Sequence, residues 1–215
     1  MRHTSIKHQQ RGFTILELMI ATTVLAVMLV LVSAMMIAIG NLYYKGVSQA
    51  RIQADTRSIV DDLAQHLQLS DVPPRTEAHT LTIPGDSTHV IKAYCTDSTR
   101  YSYVLDKQIG TNSDQIRHVL WRDSIPSTGC DPADLTSANP SSGGTELISG
   151  NSRLTAFSIS PNSPYTVDIE VVLGDTDLLS GSGINTTCKG GIGQQFCATS
   201  VLHTVVTQRI TQSTN

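Results

Sequence analysis

Residues 11–39 read RGFTILELMIATTVLAVMLVLVSAMMIAI, and the reading of this stretch decides the architecture. From Phe13 to Ile39 the chain carries one charge, Glu17, in 27 residues. At about 1.5 Å per residue that makes a helix of roughly 40 Å, enough to cross a bilayer core of roughly 30 Å. Ahead of it, residues 1–12 (MRHTSIKHQQRG) are polar and hold Arg2, Lys7 and Arg11 with no acid. Basic flanks stay on the cytoplasmic side, so residues 1–12 are expected in the cytoplasm and the rest of the chain outside. Glu17 is the odd residue, because a carboxylate in an apolar span costs free energy unless it reaches the interface or a partner. A plain anchor gains nothing from it. A helix that later packs on another helix can use a buried acid, given a positive partner, to enforce register.

Beyond Ile39, Gly40, Tyr43, Tyr44 and Lys45 form an interface belt of aromatic rings and a cation at headgroup level. The next segment, VSQARIQADTRSIVDDLAQHLQLS (residues 47–70), is amphipathic. Ile52, Ile59, Val60, Leu63 and Leu67 fall on one helical stripe, and Arg57 and Asp61 sit four apart on the polar side. Ser70-Asp71-Val72-Pro73-Pro74 stops the helix, since consecutive prolines cannot continue it. The expected helix runs from Thr14 to about Leu69 and is roughly 84 Å long. Its first half would lie in the membrane and its second half would pack on a globular head.

The run Arg11-Gly12-Phe13-Thr14-Ile15-Leu16-Glu17-Leu18, with its basic leader and long apolar continuation, closely resembles the prepilin peptidase site of type IV pilins and type II secretion pseudopilins. The resemblance implies cleavage between Gly12 and Phe13 and N-methylation of the new terminal Phe13. It also implies that Glu17 pairs with the terminal amine of a neighbouring subunit during assembly. A glycine offers the peptidase an unhindered bond, and a buried α-ammonium is a natural counter-ion for a buried carboxylate. The implied partners are prepilin peptidase, other pilin or pseudopilin subunits, the inner-membrane assembly platform and membrane lipid. Many major pilins have a glycine and a proline inside the apolar half, where this chain has Ala26 and Ala34. A span with no Gly or Pro favours a helix kept whole and counts against an abundant shaft subunit. A secretory signal cut near Ser33 or Ala34 fits less well, its apolar region being too long and interrupted by Glu17. With no cysteine in or near the span, a lipoprotein anchor is out.

The bulk numbers agree with an extracytoplasmic protein of one domain plus an appendage: 215 residues, 40% hydrophobic, 15% charged. The formal net charge is -3, and loss of residues 1–12 would leave 12 basic against 18 acidic residues. A general nucleic-acid binder would carry a basic surplus or stripe instead. The four cysteines, Cys95, Cys130, Cys188 and Cys197, make no CxxC pair, so zinc or thioredoxin-like chemistry lacks its spacing. All follow the span and so enter a disulfide-permissive space. Of the three possible pairings, Cys95–Cys130 and Cys188–Cys197 is preferred because each closes a modest loop.

From residue 72 onward the periodicity switches to two. Candidate strands are His79–Ile83, His89–Cys95, Arg100–Asp106, Ile116–Arg122, Leu154–Ser160, Tyr165–Leu173 and Ser200–Ile210, separated by Gly, Pro, Asn or Asp turns. In Tyr165–Leu173, Val167, Ile169 and Val171 point one way. Residues 127–151 and Gly174–Gly193 are low-complexity loops. The segments Tyr94–Asp97, His118–Asp123 and Val205–Ile210 look like sheet segments of W-class minor pilins and J-type pseudopilins. The expected fold is α+β: one long N-terminal helix packed by its second half on an antiparallel head. Its divisions are a leader (1–12), a membrane or filament-core half (13–40), an amphipathic half (41–71) and the head (72–215).

No catalytic constellation emerges. His3, His8, His66, His79, His89, His118 and His203 make neither HExxH nor an i, i+4 pair and read as exposed or half-buried. No GxSxG elbow or phosphate loop is present. Asp175-Thr176-Asp177 starts like a calcium loop but lacks the later glycine and bidentate acid. Asn185-Thr186-Thr187 fits a glycosylation sequon that matches by chance often, and Trp121 reads as core. No enzyme, cofactor or metal is expected. The expectation is a minor pilin or pseudopilin, a low-abundance initiating or tip subunit of an extracytoplasmic filament. Its rival is a single-span membrane-anchored binding protein that never polymerises.

Overall fold

The computed structural model describes residues 12–76, 80–110, 117–125, 129–148 and 150–209. One helix, α1 (Ile15–Leu69), is followed by antiparallel strands, so the fold is α+β. The chain divides into two compact units at Tyr43/Tyr44.

In the second unit, the strands begin with β1 (Arg75–Thr76), β2 (Leu81–Ile83), β3 (Asp86–Cys95) and β4 (Thr99–Tyr103). Next come β5 (Ile109–Gly110), β6 (Arg117–His118), β7 (Leu120–Ser124) and β8 (Thr145–Glu146). The last are β9 (Ser152–Ile159), β10 (Tyr165–Leu173), β11 (Leu179–Ser180), β12 (Thr187–Cys188) and β13 (Ala198–Val206). The head is antiparallel, as expected, and its strands form two main sheets. One has the order β1-β3-β4-β7-β8 with β2 also on β3, and the other has the order β13-β10-β9. Two two-stranded pieces, β5–β6 and β11–β12, complete the head.

The core lies between the helix and both sheets. The helical stripe Ile52, Ile59, Val60, Leu63 and Leu67 is buried, as its spacing required. Thr56 is buried among these residues, and its hydroxyl donates to the Ile52 carbonyl at 2.7 Å, so it can sit in an apolar stripe. Facing the stripe, Tyr94 and Tyr103 stack at 5.5 Å, and Phe157 meets both edge-on at 5.2 and 4.9 Å. Tyr101 donates its hydroxyl to Asp62 on the helix at 3.0 Å. Burial, then the Asp62 charge, pushes that phenol well above its ordinary range, so it stays a donor. The helix ends at Leu69, where Arg209 N–H donates to the Gln68 carbonyl at 3.1 Å and Gln208 Nε2 to that of Ser70 at 2.5 Å. The segment after β13 thus satisfies carbonyls that a helix C-terminus leaves open. On the polar side, Arg51 and Asp55 make an i, i+4 ion pair at 4.0 Å, and His66 Nε2 lies 3.9 Å from Asp62; among the described residues none joins Arg57 to Asp61.

Several strand limits differ from the periodicity, each for a local reason. The expected strand Arg100–Asp106 ends at Tyr103, because Asp106 adopts φ 59° and both its carboxylate oxygens accept the Gly183 N–H at 2.9 and 2.8 Å. The expected strand Ile116–Arg122 is broken at Val119 into β6 and β7. There the N–H groups of Val119 and Leu120 donate to Glu146 Oε1 at 3.2 and 2.9 Å. Its first residue, Ile116, lies outside the described residues, as do His79 and Ile210 of two other expected strands. The last strand is Ala198–Val206 instead of Ser200–Ile210, since the chain then turns back to the helix end. The strands expected at His79–Ile83, His89–Cys95 and Leu154–Ser160 are Leu81–Ile83, Asp86–Cys95 and Ser152–Ile159. Tyr165–Leu173 is found as expected, with Val167, Ile169 and Val171 buried. A register shift between Glu170 and Val171 puts consecutive side chains out of simple alternation, and Val172 is buried too.

The two low-complexity stretches turn out to be packed lids. Residues 129–144 cover one face of the first sheet, setting Ala133 and Leu135 against Ile91, Val104 and Trp121, with Trp121 Nε1 donating to Ser141 Oγ at 2.9 Å; Ile148 is buried in the core with the helical stripe. Their anchor is the cross-strand pair Arg100–Asp123, whose side chains are 7% and 1% exposed. Arg100 Nε and Nη2 reach the carboxylate at 2.9 and 2.5 Å, while Nη1 donates to the Asp131 carbonyl at 2.5 Å. The stretch Gly174–Gly193 packs Leu178, Leu179 and Cys188 against Val172 and Cys197.

Candidate functional site

In the first unit, the residues singled out by the sequence lie at the start of α1. Gly12, Phe13 and Thr14 are not helical and Phe13 is 81% exposed. Thr14 and Glu17 satisfy each other. Glu17 Oε2 accepts the Thr14 N–H at 3.0 Å and the Thr14 hydroxyl at 2.9 Å, while Thr14 Oγ1 accepts the Glu17 N–H at 3.2 Å. This is a capping box, which occupies donors that a helix N-terminus otherwise leaves open. The sequence signal for it, Thr14-x-x-Glu17, was legible, and Thr14 is the partner that the reading of Glu17 alone missed. Among the described residues, Glu17 has no cationic partner. A Cβ added at Gly12 would meet nothing within 4 Å, and Gly12 is not among the positive-φ glycines. Neither packing nor backbone conformation of this chain therefore demands a glycine there.

Behind the cap, every residue from Ile15 to Ile39 is exposed, so no described residue covers a side of this helix half. A helix apolar all round needs lipid or other apolar helices around it, and each Leu, Ile, Val or Met left in water forgoes about 1.5–3 kcal/mol. The hydroxyls in the span are internally satisfied: Thr22, Thr23 and Ser33 donate to the carbonyls of Met19, Ile20 and Leu29 at 3.0, 2.8 and 2.8 Å. That leaves Glu17 as the ionisable group of the span.

In the second unit, Cys95 is bonded to Cys130 with Cα atoms 5.9 Å apart, and Cys188 to Cys197 with Cα atoms 5.8 Å apart. The first ties the end of β3 to the lid over the first sheet, and the second closes the lid over β10. The histidines are not gathered into a site. His118 departs from the exposed or half-buried expectation: it is 2% exposed, set edge-on to Trp121 at 5.1 Å, with Nδ1 3.1 Å from Glu146 Oε2. His203 pairs with Asp168, and His66 lies 3.2 Å from the Thr99 hydroxyl. His3, His8 and His79 lie outside the described residues, as do leader residues 1–11. Asp175 accepts an N–H of the Asn151 side chain at 2.9 Å. Among the described residues no group of three His, Cys, Asp or Glu side chains could hold a metal ion.

Residues 7–33 match the family model described as the prokaryotic N-terminal methylation motif. The comparisons with curated proteins and with solved structures gave no match. The matched stretch contains Gly12, Phe13, Thr14 and Glu17 and most of the apolar span. It supports a type IV pilin-like, membrane-anchored chain processed by prepilin peptidase, of a structural and not an enzymatic family.

Proposed function

We propose that this chain is a minor type IV pilin or pseudopilin, inserted with residues 1–12 in the cytoplasm and cut between Gly12 and Phe13. The new Phe13 terminus is N-methylated, and the subunit joins an extracytoplasmic filament by lateral packing of apolar helices. The observation that carries this reading is the coincidence of three features at one place. The methylation motif covers residues 7–33, the helix begins three residues after Gly12, and Glu17 is the ionisable group in a wall of exposed apolar side chains. Gly12, which the chain's own packing does not require, has its use in the peptidase.

In the filament, Glu17 exchanges its capping contacts with Thr14 for the terminal amine of a neighbouring subunit, and each such pair sets the register of one helix on the next. The helix runs without a break from Ile15 to Leu69. A subunit that keeps its helix whole, with a head closed by two disulfides, suits a low-abundance initiating or tip position. The test is the intact mass of the protein from cells with and without prepilin peptidase. Loss of residues 1–12 with one added methyl group, in the peptidase-containing strain alone, is the expected result. An unprocessed chain in both strains would instead favour a single-span membrane-anchored binder.

A further inference from the structure

Outside the N-terminal motif, the head carries a polar cavity of about 520 Å³, within the range of small-molecule sites. Its described lining contains no large apolar side chain and holds three cations, Lys107, Arg117 and Arg153, with His89, Gln108 and Thr176 beside them. Not all of this charge is available. Lys107 is paired with Asp86, which also accepts from Thr88 and His89. Lys107, then Thr88, holds the Asp86 carboxyl far below the usual carboxylate range, so that pair is closed. Asp106, the one acid in the described wall, is held in place by the Gly183 N–H, which its two oxygens share, and keeps its negative charge.

The two arginines are different. Arg117 Nη1 is held by neutral acceptors, Gln108 Oε1 at 2.8 Å and Asn151 Oδ1 at 3.4 Å. Gln108 is itself fixed, its Nε2 donating to the carbonyls of Gly150 and Ser152 at 2.8 and 2.7 Å. The guanidinium is therefore positioned without being neutralised. Arg153, on β9, has its Nε shut off from solvent with no hydrogen-bond partner among the described residues. That atom has no surface open to the cavity, which Arg153 lines with other side-chain atoms. Neither arginine has a carboxylate partner among the described residues.

We propose that this cavity binds a hydrophilic oxyanion, the phosphate or carboxylate of a small hydroxylated molecule, with Arg117 and Arg153 as its charged ligands. Guanidinium forks match both oxyanions in a way that a lone ammonium does not. Thr176 and His89 line the same cavity and offer further polar contacts of the kind hydroxyl groups need.

The full chain in nonionic detergent is titrated calorimetrically with inorganic phosphate and with glucuronate, glucose serving as the uncharged control. Saturable binding of either anion and none of glucose is expected; the anion that binds identifies the source of the charge. Arg153→Gln and Arg117→Gln should each weaken binding by about tenfold or more, and Arg57→Gln should not. Arg117 is exposed, so its variant keeps the test sound if Arg153→Gln fails to fold. No saturation by either anion, or binding unchanged in Arg117→Gln, overturns the proposal.

Discussion

Replacing Asp123 by Asn tests how the head holds its lid. The Asp123 side chain is 1% exposed and receives two hydrogen bonds from Arg100, itself 7% exposed. Asn keeps the shape and one acceptor oxygen but removes the charge, leaving a guanidinium buried against an amide. Breaking a buried pair by removing one partner costs about 3–5 kcal/mol, because the remaining charge stays desolvated. The retained acceptor and the Asp131 carbonyl on Nη1 place this variant at the lower end, about 3 kcal/mol. For a domain of this size that corresponds to a melting point lower by about 6–12 °C. The assay is urea unfolding of the full chain in nonionic detergent, followed by fluorescence of Trp121, which packs under the same lid. Asp55→Asn, which breaks an exposed pair at 4.0 Å, is the control and should cost under about 0.5 kcal/mol. The double variant Arg100→Met with Asp123→Leu should lose less than Asp123→Asn, since no charge is left unpaired. A loss below about 1 kcal/mol for Asp123→Asn would refute the reasoning.

Further expectations concern the N-terminus, the lid and the second sheet. Glu17→Gln preserves the capping box, since Gln serves as well as Glu at that position, but lacks the charge. If Glu17 acts by pairing with a neighbour's amine, Glu17→Gln and Glu17→Ala should both be missing from sheared filaments while remaining in the membrane. Normal incorporation of the Gln variant would reduce Glu17 to a cap. Gly144→Ala would bring a Cβ to 2.2 Å from Trp121 Nε1 and should cost about 1–3 kcal/mol, with a changed Trp121 emission; an unshifted melt would contradict it. Burial raises the Glu170 carboxyl above its ordinary 4.5, so the folded state holds that proton more tightly than the unfolded one. Stability is therefore lost as pH rises through that range, and Glu170→Gln should gain stability over the parent at pH 7 and little at pH 4. Loss of Cys95–Cys130, closing 35 residues, should cost about 3.8 kcal/mol, against about 2.6 for Cys188–Cys197, closing 9; serine pairs measured by urea unfolding check the order.

Most of the helix was readable because its signals are local. Its start, its apolar half, the buried stripe from Ile52 to Leu67 and its stop before Pro73 each follow from residues within a few turns of one another. Tyr165–Leu173 was equally legible from alternation. The short strands were not. Thr145–Glu146 exists because the distant strand Leu120–Ser124 is brought alongside, while Ile109–Gly110 and Leu179–Ser180 pair with nearby residues but are too short for two residues to carry a period. The division of Ile116–Arg122 was likewise hidden, since Glu146, more than twenty residues away, takes the N–H groups that would have continued the strand.

Read alone, the sequence already defines the N-terminal segment: basic residues ahead of Gly12-Phe13, Glu17, and an apolar span free of Gly and Pro. These act through spacing along one helix, and that geometry is the same wherever the helix goes. Only the tertiary structure decided what the head does with its polar residues. It set Arg100 against Asp123, Asp106 under Gly183, and Arg117 and Arg153 around one cavity. Each partnership joins residues far apart in the chain, and the energy of a buried charge depends on the partner that folding supplies.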